Sequence, residues 1–102
     1  MNRDQIPRRR DEDAARIGQA FGHPIRVAIL HALADGELCS CELAPRFALD
    51  QSGISRHLAV LRRAGLIGSR RDGVRRLHRL ASPQVLRLID LAEDLAGELR
   101  PR

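Results

Sequence analysis

The chain has 102 residues, 43% of them apolar but only two aromatic, so it forms a single domain whose core is built from Leu, Ile, Val and Ala. No apolar run reaches the roughly 18–20 residues of a membrane span, and the N-terminus lacks a signal-peptide core, which points to a cytoplasmic protein with no membrane partner. Residues 51–80 hold eight Arg against the single acid Asp72, while residues 1–50 and 81–102 are each slightly acidic, so the basic charge gathers in one third of the chain as on a nucleic-acid-binding face.

Residues 1–10, with Pro7 and the run Arg8-Arg9-Arg10, lack apolar periodicity and read as a flexible arm ahead of one domain over residues 11–99. Asp11, Glu12 and Asp13 suit the positive end of a helix dipole, and a short helix follows through Ala14, Ile17, Ala20 and Phe21. Gly22-His23-Pro24 interrupts it, with His23 as a cap and Pro24 at the first position of a second helix. Ile25, Ile29 and Leu33 form that helix's i, i+4, i+8 stripe, and Asp35-Gly36 ends it. Ser40 reads as the N-cap of a short third helix, with Leu43 and Phe47 turned inward. His31 and His78 read as ordinary polar positions.

After the turn Ala48-Leu49-Asp50, residues 51–63 form an amphipathic helix. Ile54, Leu58 and Leu61 share one side, while Ser52, Ser55, Arg56 and Arg63 gather opposite with Gln51 at the entrance. Mixed charges are the rule on an ordinary solvated face; here hydroxyls and guanidiniums stand without an acid, a set suited to phosphates and base edges. Gly65 supplies a left-handed cap, with Leu66 packing back. Short helix, three-residue turn and amphipathic helix together have helix-turn-helix spacing. The period then changes, and Asp72-Gly73 signals a two-residue hairpin tipped with Arg70, Arg71, Arg75 and Arg76, a β-wing. Ser82 and Pro83 open the last helix, whose wide apolar face (Val85, Leu88, Ile89, Ala92, Leu95, Ala96, Leu99) exceeds what one small domain covers. A homodimer through the first and last helices supplies the missing cover.

With Phe21-Gly22-His23-Pro24-Ile25-Arg26, Cys39-Ser40-Cys41-Glu42-Leu43-Ala44, Gln51-Ser52-Gly53-Ile54-Ser55-Arg56-His57-Leu58 and Leu61-Arg62-Arg63-Ala64-Gly65-Leu66 in order, the chain resembles the ArsR/SmtB family over residues 12–99. The resemblance implies a mainly α, winged helix-turn-helix homodimer (α+β, with a small β-hairpin wing). It also implies a repressor that leaves double-stranded operator DNA when a metal or metalloid binds. By that likeness Gln51, Ser52, Ser55, Arg56 and His57 face the major groove, His57 having edge packing as its other role. Arg63 joins them on the outer face, and Arg71, Arg75 and Arg76 reach the minor groove or phosphates.

Cys39 and Cys41 match the family's third-helix cysteine site, which in arsenic sensors reads Cys-Val-Cys-Asp-Leu-Cys; here the third cysteine is Ala44. Cys41 lies where helix amides favour thiolate, and the extended chain at Cys39 lets both sulfurs converge. Two cysteines one residue apart do not make a disulfide framework. The pair is read as a site for As(III), Sb(III) or another thiophilic ion acting as inducer, with no cofactor needed for folding. Thiol oxidation or persulfide sensing, and simple packing in a repressor without inducer, are the alternatives. An enzyme is excluded: the sequence has no phosphate loop and no nucleophile–base spacing.

Overall fold

A computed structural model describes residues 6–101. Five helices and a three-stranded antiparallel sheet follow in the order α1 (Arg9–Ala20), α2 (Pro24–Ala32), β1 (Leu38–Cys39), α3 (Ser40–Arg46), α4 (Gln51–Arg63), β2 (Ile67–Asp72), β3 (Arg75–Leu80) and α5 (Gln84–Leu99). The mainly α winged architecture is the one expected, with one strand more.

Local chemistry sets most boundaries. His23 Nδ1 accepts from the Ile25 amide at 3.1 Å ahead of Pro24, the cap expected of it. Asp50 Oδ1 accepts from the Gly53 amide at 2.7 Å and caps α4. Gly65, at φ 80°, closes that helix. The Gly65 amide then reaches Arg62 O and the Leu66 amide reaches Leu61 O, each at 3.0 Å, the two bonds of a Schellman motif. Ile29, Leu30 and Leu33 meet Leu43, Ile54, Leu58, Leu61, Leu66 and Ile89 in one core. That core fixes α4 against α2 and α3 and leaves its other side outward.

Four readings are corrected. The first helix begins at Arg9, two residues before Asp11, because the Asp11 carboxylate accepts from the Arg8 amide at 2.8 Å. Arg9 and Arg10 therefore belong to its first turn; residues 1–5 of the arm lie outside the described residues. The N-cap of α3 is Cys39 rather than Ser40: the Glu42 amide donates to Cys39 Sγ (3.2 Å) and the Cys39 amide to Glu42 Oε1 (3.1 Å). The hairpin turn is Gly73-Val74 rather than Asp72-Gly73, since Asp72 pairs with Arg75. A left-handed first turn residue is needed there, and Gly73 (φ 63°) meets it without a Cβ clash. Finally, His78 is no ordinary polar position: it is 1% exposed. Its Nε2 meets Ser40 Oγ at 2.9 Å, and it shares a hollow with Ser55, Leu58 and Arg62 of α4.

The last helix buries Val85 and Ile89 alone, and residues 90–99 are exposed throughout. No helix among the described residues is long and apolar enough to cross a membrane.

Candidate nucleic-acid interface

Gln51, Ser52, Ser55, Arg56 and Arg63 all lie exposed along α4, opposite the buried Ile54, Leu58 and Leu61. Gln51, Ser52, Ser55 and Arg56 occupy the first two turns. Arg63 stands at the far end, beside Arg16 and Arg26 on a hollow of about 370 Å³ between α1, α2 and α4. His57 does not join the outer set. It is half-buried, its ring 4.7 Å from that of His23, with Arg26 Nη1 3.3 Å from its Nδ1. Burial, and then the charges of His23, Arg26 and Arg56, hold its pKa below the usual imidazole value. Of the two roles read for it, edge packing is the one this geometry displays.

Strand pairing sorts the wing's cations. Cross-strand partners share a face, so Arg71 and Arg76 stand together, while Arg75 opposes Asp72 on the other face. Arg75 Nη2 donates to Glu42 Oε1 at 2.8 Å. Arg70 grips both carboxylate oxygens of Glu37, its Nε at 2.9 Å from Oε2 and its Nη2 at 2.9 Å from Oε1. The guanidinium holds the Glu37 carboxyl below the usual carboxylate range. Arg76 Nη1 reaches only a neutral partner, Ser69 Oγ, at 3.1 Å. Arg71 enters no ion pair among the described residues. The acids Glu37 and Glu42 escaped the sequence reading. Both flank the cysteines, but only the pairing of β1 with β3 brings them to the wing.

Cys39 and Cys41 are joined by a disulfide, with Cα atoms 5.2 Å apart, closing a ring around Ser40. The sulfurs converge because Cys39 is extended and Cys41 is already helical, as expected; the bond itself was not. Cys39 is buried and Cys41 exposed. Ser40 Oγ lies 2.9 Å from His78 Nε2, so the ring touches the wing through Ser40 as well as through Glu42. Among the described residues, no group of three His, Cys, Asp or Glu could hold a metal ion. Ala44, where arsenic sensors carry the third cysteine, is buried in the core.

The family model of bacterial regulatory proteins of the arsR family matches residues 23–69. The chain is 35% identical over 85 residues to the HTH-type transcriptional regulator MJ1325 of Methanocaldococcus jannaschii, spanning 82% of this chain and 96% of that protein. It is 32% identical over 92 residues to the HTH-type transcriptional repressor SmtB of Mycobacterium tuberculosis, spanning 90% of this chain and 68% of the other. Its fold superposes with a TM-score of 0.79 on the homodimeric winged helix-turn-helix DNA-binding domain Mb0332 of Mycobacterium bovis, at 32% identity over 88% of this chain and 83% of that one. With helix-turn-helix, wing and outward basic face in place, the chain belongs to the ArsR/SmtB family of winged helix-turn-helix transcriptional regulators, DNA-binding proteins and not enzymes.

Proposed function

We propose that this regulator is a homodimeric repressor that reads operator DNA with the first turns of α4 and leaves it when Cys39 and Cys41 are oxidised. One observation carries the reading: the cysteine ring is built into the element that holds both α4 and the wing. Cys39 caps α3, α3 packs on α4, and Glu42 of the same capping box binds Arg75. The ring encloses a single residue, so its contribution through chain entropy is near the low end for disulfides. Such a bond serves better as a switch than as a staple.

The exposed Cys41 thiol meets the oxidant and the buried Cys39 resolves it. With hydrogen peroxide, two thiols give up two protons and two electrons; one S–S bond forms and two waters leave. In the oxidised form Glu37 and Glu42 neutralise Arg70 and Arg75, which weakens the wing's attraction for phosphate. A coupling of about 1–3 kcal/mol, or roughly 5–150-fold in operator affinity, is typical of such linkage.

A second reading rests on the convergence of the two sulfurs: once reduced, the pair offers two thiolates to As(III), Sb(III) or another soft ion. The chain lacks the third donor of an arsenic sensor at Ala44, so water, a small thiol or a second copy would complete the set.

Fluorescence anisotropy on a labelled operator separates the two. Wild-type protein should release DNA on peroxide treatment and rebind after dithiothreitol. The Cys39→Ser, Cys41→Ser double variant should bind normally and ignore peroxide. Release of the reduced protein by arsenite alone favours the metalloid reading. Release of the double variant by either agent removes the pair from the mechanism.

A further inference from the structure

Between the start of α3, the middle of α4 and the wing lies an open-sided cavity of about 280 Å³, several times the ~30 Å³ of a liquid water. Ser40, Ser55, Leu58, Arg62, Arg76 and His78 line it, and no carboxylate is among them. The neighbouring wing arginines, Arg70 and Arg75, are matched to Glu37 and Glu42. Arg62 and Arg76, by contrast, enter no ion pair among the described residues. Strand alternation explains the division: Arg76, Ser69 and His78 share the face turned to α4, while Arg70 and Arg75 share the other. Ser55 and Arg62 are seven residues apart, hence one above the other on the helix facing that strand. His78 spends its Nε2 on Ser40 Oγ, and its Nδ1 is buried with no partner.

We infer that this cavity is an oxyanion site, two guanidinium forks and two hydroxyls converging on one phosphate-like group. Two exposed guanidiniums line this hollow with no acid among its walls, and guanidiniums grip oxyanions through paired N–H donors. Burial, followed by the charges of Arg62 and Arg76, depresses the pKa of His78, so the ring stays neutral and the positive charge belongs to the two arginines. The same chemistry arrives in two ways: as a backbone phosphate of the duplex or as a free inorganic oxyanion. Only the first draws on the operator-binding reading, and neither depends on the thiol switch.

The test uses the full-length protein at fixed pH and constant ionic strength, with sodium phosphate replacing sodium chloride. NMR follows the side-chain N–H signals of Arg62 and Arg76 and the ring of His78. Saturable, concerted shifts are expected, with Arg62→Met and Arg76→Met each weakening binding about tenfold or more. In a second arm, single methylphosphonates are scanned through the operator. A position that weakens wild-type binding but has no further effect on Arg62→Met identifies the duplex as the source. Phosphate saturation without such a position identifies a free oxyanion. If phosphate produces no saturable shift, and every methylphosphonate affects wild type and Arg62→Met alike, the site is overturned. Peroxide-dependent release, measured separately, is untouched by that result.

Discussion

His78 is the buried polar residue of the described core, and its environment makes stability depend on pH. In the unfolded chain the imidazole takes up a proton near its ordinary value of 6.5; in the folded chain burial and the Arg62 and Arg76 charges lower that value. The unfolded state therefore binds more protons just below 6.5, and the stability from neutral His78 is complete above that pH and lost as pH falls through the folded value. The thermal midpoint should drop between about pH 7.5 and about pH 5.5. His78→Phe should flatten the slope in part, His57 retaining a share of the same sign. Calorimetry across that window checks it, and an unchanged slope in the variant would remove His78 as the source. The residue's importance is hidden in the sequence for a physical reason. Alternation marks a strand's two faces, but the groups around His78, Ser40 of α3 and Leu58 and Arg62 of α4, come from distant parts of the chain that no local pattern connects.

At the scale of elements, α4 is legible because each of its signals is local. Asp50 caps it, Gly65 ends it, and an apolar stripe at helical spacing tells its inside from its outside. Asp50→Ala should lower stability by about 1 kcal/mol, seen as a reduced urea midpoint with unchanged slope. The wing is legible as a hairpin but not in its partners. Its turn lies one residue later than Asp72-Gly73 because the left-handed position falls on the turn's first residue, and the shift decides which arginines share a face. Hence a prediction that no count of arginines makes. Arg71→Ala should reduce the slope of log affinity against log salt by about one. In the oxidised protein Arg75→Ala should reduce it less, because there Arg75 must give up Glu42 before it takes a phosphate. Equal slope changes would mean that the Glu42 pair does not hold Arg75 in solution. His57 is legible by the same wheel, which sets it about 40° from Leu61 and about 100° from Arg56, at the edge of the apolar stripe, where its ring meets that of His23 at the start of α2.

At the scale of the whole molecule, the single chain is too open for its length. Its radius of gyration is 15.7 Å, against about 13 Å for a compact chain of this size. The excess lies in the outer helices: α1 buries only Ala20, and α5 is exposed from Asp90 onward. Leu91, Leu95 and Leu99 form an i, i+4, i+8 stripe that is 66%, 50% and 71% exposed, an apolar surface of the kind that marks an interface. A second copy related by a two-fold axis covers such a stripe with its own equal. The same axis carries two α4 helices to half-sites about 34–36 Å apart on one face of a duplex. Leu91→Glu with Leu95→Glu should therefore leave the helical signal in circular dichroism intact while halving the mass in sedimentation equilibrium. It should also cost far more affinity on a two-half-site operator than on a single half-site, since only the dimer gains from the second. A wild-type monomer at micromolar concentration, or a double variant that still binds both half-sites together, would place the interface elsewhere and leave the exposed leucines of α5 without this role.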